Sequence, residues 1–318
     1  MYYVRLVPDG TRIQFMKGRI AGLAMSAILS ILSVVLYFAP GLNMGVDFRG
    51  GIVIEARLTA PADFGAIRAS LTPLNLGHVG LQEIGTPVDV SIAIERQPGD
   101  DEAQQRAVNA VRQRLTADYP GVSFQRVEAV GAAVSGELFT NGMIALGLSL
   151  FAMLAYIWFR FEWQFGVGAV VTLILDVTKT IGFYVLFNME FNLSSIAAIL
   201  AIMGYSINDK VVVYDRVREN LRKYKSMPLR ELIDLSINET LNRTIGTSMA
   251  SFLSAMPLII FGGEALREFS IVMLFGIFIA TTSSIFIAAP ILLFLGENRL
   301  RRGMAPVEPG KTADTPAS

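Results

Sequence analysis

Residues Gly204 to Asn220 read GYSINDKVVVYDRVREN. The stretch starts inside an apolar segment that opens near Leu193 and closes near Tyr214. About 20 helical residues cross the hydrocarbon of a bilayer, so this segment is long enough to span one. Asn208, Asp209 and Lys210 sit inside it. An ionisable group at that depth costs about 2.5–3.5 kcal/mol on insertion scales, and one kept there marks a functional site by default. Past Tyr214 the chain turns polar, with Asp215, Arg216, Arg218 and Glu219. One helix therefore carries a buried acid and leaves the membrane on a charged face.

The rest of the chain fits a membrane protein. Hydrophobic residues make up 53% and charged residues 17%. Cysteine is absent, so disulfides and thiolate metal sites are unavailable. His78 is the single histidine, which excludes a multi-histidine metal centre and an HExxH protease. No metal, cofactor or nucleic-acid partner is expected. Net charge is zero, but the basic residues are unevenly placed.

Residues 1–19 are polar and carry Arg5, Arg12, Lys17 and Arg19; an apolar run, 20–38, follows. A cleaved signal has an apolar core of about 7–15 residues. This run is longer, and Pro40-Gly41 follows without a small-x-small site. The expectation is an uncleaved first span, with a cleaved signal as the alternative.

Residues 39–138 read as a water-soluble α+β domain. Ile52, Ile54 and Ala56 alternate with Val53, Glu55 and Arg57, a strand pattern. Pro61 opens a helix with Phe64, Ile67 and Leu71 on one side. Val79 to Ile84 and Val88 to Glu95 give two strands around the turn Gly85-Thr86-Pro87. Asp100 and Asp101 cap a helix with the stripe Val108, Val111, Leu115 and Tyr119. Pro120-Gly121 ends it, and Val122 to Val130 is the last strand. The order βαββαβ is the ferredoxin-like pattern. Small residues from Gly131 to Gly136 read as a linker.

Five further apolar segments lie within 139–298: 139–158, 167–187, 193–214, 245–261 and 269–295. The fold class expected is thus a polytopic α-helical membrane protein with six transmembrane helices. Connectors are short except the basic loop 215–244, in which Leu229, Leu232, Ile233 and Ile237 form one face of a surface helix behind Pro228. The tail 299–318, expected to be disordered, carries Arg299, Arg301 and Arg302. The basic N-terminus, loop and tail all fall on one side of a six-span topology. The positive-inside rule makes that side cytoplasmic and puts 39–138 in the periplasm of a bacterial inner membrane.

Two charged pairs lie in the spans. Asp209 is just over a turn before the cytoplasmic exit, and Arg243 begins the return, so antiparallel neighbours hold them at similar depth. Desolvation disfavours the carboxylate and a nearby cation favours it, so making and breaking the pair moves a proton. The alternatives are a fixed ion pair or an arginine that snorkels to the interface. Asp176 and Lys179 are i, i+3 on a face shared with Thr172 and Thr180. Mutual neutralisation and an ion-pathway role both suit them. Lys210 points about 100° from Asp209 and is expected to reach the interface.

Four stretches resemble the SecF family of protein-export subunits: GVDFRGG at 45–51, VSGEL at 134–138, the GYSINDKVVVYDRVREN stretch, and ETLNRT at 239–244. Asp47, Gly50, Gly51, Gly204, Asn208, Asp215, Arg216 and Arg218 are the motif positions. The resemblance implies a non-enzymatic translocase subunit of the resistance–nodulation–division superfamily. It implies SecD as partner, association with the SecY–SecE–SecG channel, and action on a translocating preprotein driven by protons. Asp209 and Arg243 match the family residues tied to proton use, and Asp176 belongs to the same expected proton-coupling set. Leu175 stands where many members have histidine, and Lys210 where the residue is often small. Half of a small-molecule or lipid exporter of the same superfamily is the alternative. A membrane enzyme is disfavoured, because 39–138 has no nucleophilic triad and no glycine-rich phosphate loop.

Overall fold

A computed structural model of the chain describes residues 8, 11–99 and 101–295. Arg5, Asp100 and the basic tail from 299 lie outside the described residues. Six helices among the described residues are long and apolar enough to cross a membrane. The chain divides into two units, one formed by 41–149 with 184–197, the other by the remaining described residues.

Helix α1 is Arg19–Phe38. Strand β1 (Asn43–Met44) and the single turn α2 (Val46–Arg49) follow it. The inserted domain then runs β2 (Gly51–Arg57), α3 (Phe64–Leu71), β3 (Val79–Ile84), β4 (Thr86–Ile94), α4 (Asp101–Asp118) and β5 (Ser123–Val130). Its sheet has the order β3-β4-β2-β5, with every neighbouring pair antiparallel. Helix α3 starts at Phe64 and not at Pro61, because the Asp63 carboxylate accepts the amides of Gly65 and Ala66 at 2.9 and 3.1 Å. Such a cap is worth about 1 kcal/mol.

Alternation decides which side of β2 meets the helices. Ile52, Ile54 and Ala56 join Ile67, Leu71, Val108, Val111 and Leu115 in one buried core. The opposite face is also closed, since Val53 and Glu55 are buried. Glu55 is stabilised there by the Arg126 guanidinium at 3.0 Å, which also donates to Glu128 at 2.7 Å. Gly50 and Gly51 have φ of +72° and +127°. A Cβ on Gly51 would lie 2.8 Å from the Ile94 carbonyl oxygen, so only glycine fits where β2 begins.

Four long helices follow: α5 (Ala132–Arg160), α6 (Trp163–Leu186), α7 (Leu193–Lys223) and α8 (Leu229–Phe261). A two-residue strand β6 (Glu190–Phe191) precedes α7 and pairs in parallel with β1. The last span is α9 (Gly263–Ser283), a π turn (Ser284–Ala288) and α10 (Ala289–Phe294).

Two sequence expectations are corrected here. The small residues 131–136 form no linker; α5 starts at Ala132. The segment 215–244 is not a loop, because α7 runs on to Lys223 and α8 starts at Leu229, next to Pro228. Leu229, Leu232, Ile233 and Ile237 are buried as their spacing requires. Their helix, however, continues unbroken into the span, since nothing between Leu229 and Met256 is proline or a paired breaker.

Small residues let the membrane helices approach closely. Added side-chain carbons at Gly182 and Gly276 would collide with Ser33 and Ile202. Phe183 stacks on Phe275 with centroids 4.2 Å apart.

Candidate functional site

Asp209 and Lys210 are consecutive on α7, so their side chains diverge by about 100°. That divergence sends the acid and the base into two different networks. Both residues are buried, at 2% and 1% exposure.

Lys210 reaches Asp176 on α6. Its Nζ donates to Asp176 Oδ2 at 2.9 Å, to the Ser206 carbonyl at 3.3 Å and to Ser283 Oγ at 3.3 Å, and it also meets Ser206 Oγ. Asp176 Oδ2 accepts further from Ser206 Oγ at 2.8 Å and Ser283 Oγ at 2.7 Å. Lys179 donates to Asp176 Oδ1 at 3.4 Å. The expectation that Lys210 reaches the interface is therefore wrong. A buried carboxylate on the adjoining helix stands where the lysine points, and pairing inside is cheaper than leaving that carboxylate alone. The Asp176–Lys179 contact exists, but it is the longer of the two ion pairs.

Asp209 turns the other way. Its Oδ2 accepts from Thr281 Oγ1 on α9 at 3.5 Å. Thr281 lies 2.8 Å from Ser248 Oγ on α8, and the Tyr205 hydroxyl donates to the same Ser248 at 2.8 Å. A chain of hydroxyls thus runs from Asp209 across three helices. Arg243 is exposed on α8, and no ion pair joins it to Asp209 among the described residues. The π turn begins at Ser284, directly after Thr281 and Ser283 have met the two networks. π turns inside α-helices are frequent at functional sites.

The motif after Tyr214 forms a polar clamp where the helices end. Asp215 accepts from Arg160 at 2.6 Å, and Arg218 lies 3.7 Å from Glu162. Arg216 bridges Glu219 at 2.7 Å and Glu239 at 2.8 Å. Asn220 donates to Ser236 at 3.0 Å and Glu239 at 2.7 Å. Tyr214 itself is buried, with its hydroxyl donating to the Ala288 carbonyl at 3.0 Å. In the other unit Asp47 caps α7, since its Oδ2 accepts the Leu193 amide at 2.9 Å. Gly204 and Asn208 are exposed, and a Cβ on Gly204 would meet nothing within 4 Å, so no packing among the described residues demands glycine there.

Sequence reasoning singled out the acids and bases and missed their hydroxyl partners Tyr205, Ser206, Ser248, Thr281 and Ser283. The signal for two of them was present. Residues 281–284 read TTSS, four hydroxyls in an otherwise apolar span.

Six apolar helices, an α+β insert after the first, and buried charge networks on α6 and α7 define a polytopic membrane protein built around ionisable groups. The family model described as "Protein export membrane protein SecD/SecF, C-terminal" matches residues 110–298, and the "SecD/SecF GG Motif" model matches 38–62. The chain belongs to the SecD/SecF family of protein export membrane proteins. It is 41% identical to the protein translocase subunit SecF of Rhodobacter capsulatus, over 94% of this chain and 93% of that one. It is 44% identical to the protein translocase subunit SecDF of Brucella abortus, over 92% of this chain but 38% of the relative. The crystal structure of SecDF from Thermus thermophilus superposes with a TM-score of 0.80 at 32% identity, covering 90% of this chain and 39% of that one. A family role in protein translocation across a membrane follows.

Proposed function

We propose that this chain is the SecF-type half of a proton-driven accessory to Sec protein export. It sits in the bacterial inner membrane with both termini cytoplasmic. The 39–138 insert lies in the periplasm, and its βαββαβ order and β3-β4-β2-β5 sheet support a ferredoxin-like module. With SecD it serves the SecY–SecE–SecG channel and promotes release of the translocating preprotein.

A second membrane half is supported by what this chain leaves uncovered. Asn208 is exposed inside an apolar span, and the apolar Leu253, Ile260 and Phe261 of α8 are exposed as well. A polar amide in lipid calls for a partner helix. The Brucella relative carries the SecD and SecF names on a single chain, which supports SecD as that partner.

The observation that carries the proton reading is the state of Asp209. It is a carboxylate at 2% exposure, held by one 3.5 Å hydroxyl contact and by no ion pair among the described residues. An ionised acid so placed is poorly compensated, and a protonated one is accommodated. The working cycle alternates this protonated, unpaired state with an ionised state paired to Arg243. Asp176 belongs to the same coupling set. The test is proton flux in vesicles containing the chain and its SecD partner, followed with an entrapped pH dye. Flux lost in Asp209→Asn supports the reading; undiminished flux removes it.

A further inference from the structure

The buried cluster on α6 and α7 holds two basic groups and one acid. Asp176 is 0% exposed, Lys210 1% and Lys179 4%. A lysine ammonium has three N–H donors and no acceptor. Lys210 satisfies its donors with Asp176, the Ser206 carbonyl and the serine hydroxyls. Lys179 has one acceptor among the described residues, Asp176 Oδ1 at 3.4 Å.

This inequality assigns different charge states. If both lysines are ammonium ions, the cluster is net positive in a dry site, and Lys179 leaves two donors unmet. A buried charge without compensation is strongly unfavourable. If Lys179 is an amine, it donates one N–H to Asp176 Oδ1, and the Asp176–Lys210 pair is neutral overall. Among the described residues, the further acid coupled to the cluster is Asp209, which acts on Lys210 through space but turns away and hydrogen-bonds Thr281 instead. Asp176 faces Lys179 on its own helix, and α7 contributes Lys210 beside it and Asp209 turned toward Thr281. The remaining elements that pack here are α1, through Ser33 against Gly182, and α9, through Ser283. Neither 20–38 nor 269–294 contains Asp, Glu, Lys, Arg or His.

We propose that Lys179 is an exchangeable-proton site separate from Asp209, with Lys210 as the ion-pair partner of Asp176. The proposal rests on the proton-coupled reading for its use, not for its chemistry. The step is a proton transfer alone. The Lys179 amine takes one proton from the aqueous side to become ammonium, and it returns that proton when the cluster resets. The cluster alternates between neutral and singly positive, while Asp209 alternates between neutral and negative.

The experiment is nuclear magnetic resonance of the full chain in lipid nanodiscs, with 13C at lysine Cε. The other lysines are Lys17, Lys210, Lys223, Lys225 and Lys311, so the spectrum is sparse. The Lys179 resonance is the one lost in Lys179→Met. If that variant does not fold, arginine at Lys17, Lys223, Lys225 and Lys311 isolates the two buried lysines, and only one of these should titrate. The expected result is a Lys179 shift in the amine position at neutral pH, moving to the ammonium position on acidification. A Lys179 shift fixed in either position throughout the titration overturns the proposal. The readout is independent of export, so its failure leaves the Asp209 reading standing, and loss of flux coupling at Asp209 leaves this result standing.

Discussion

Lys210 Nζ lies 2.9 Å from Asp176 Oδ2, and neither side chain is open to solvent. Removing one partner of such a buried pair costs about 3–5 kcal/mol, whereas replacing both with apolar groups is often neutral. Asp176→Leu, which leaves Lys210 and Lys179 without their shared carboxylate, should therefore sharply lower the melting temperature of the purified chain. Adding Lys210→Met and Lys179→Met, which removes every ionisable group of the cluster, should recover most of the loss. A triple variant no better than Asp176→Leu would show that the cluster is not what holds α6 to α7.

Asp47 caps α7 from a distant part of the chain. Asp47→Ala removes about 1 kcal/mol of capping, which corresponds to about fivefold faster exchange of the Leu193 amide. Asp47→Asn keeps an acceptor oxygen and should stay close to the parent. Hydrogen exchange followed by mass spectrometry over 190–196 reads both.

Much of this arrangement was legible in the sequence. Periods of two and 3.6 located β2 to β5, α3 and α4 but not β1 or α2, and GYSIND placed a carboxylate inside a span. The direction of Lys210 was not legible. The helical angle from Asp209 is known, but which neighbour stands at that angle depends on packing that one helix does not encode. The start of α5 was missed because Ala, Gly and Ser suit close helix packing as well as a linker. The extent of α7 was missed because the polar run after Tyr214 suggests a loop. The clamp of Arg160, Glu162 and Glu239 lets those charges stay on a helix.

The Arg57 guanidinium donating to Asp89 at 2.6 Å holds that carboxyl below its usual range. A depressed folded value means that the contribution is complete above the unfolded value, about 3.9, and is lost as pH falls through the folded value. Protection of the β2–β4 amides against hydrogen exchange should drop on acidification below about pH 4. Asp89→Asn should flatten that dependence. Equal pH profiles in both proteins would remove Asp89 as the cause.

Sidedness is open to direct labelling because the chain has no cysteine. Thr116 in α4 and Ser226 between α7 and α8 are both exposed. In intact spheroplasts a cysteine at 116 should react with an impermeant thiol reagent, and one at 226 should react only after lysis. The reverse pattern would overturn the proposed topology.

Asn keeps the shape of Asp209 and fixes a neutral side chain, so Asp209→Asn should fold and hold its SecD partner while remaining in the unpaired state. The most direct measurement is preprotein release into the periplasm, with and without an uncoupler, in cells carrying this variant. Release should fall to the uncoupled level and no longer respond to the uncoupler. Release that responds as in the parent would contradict the proton reading, and would leave Asp209 as a buried polar group that carries no proton.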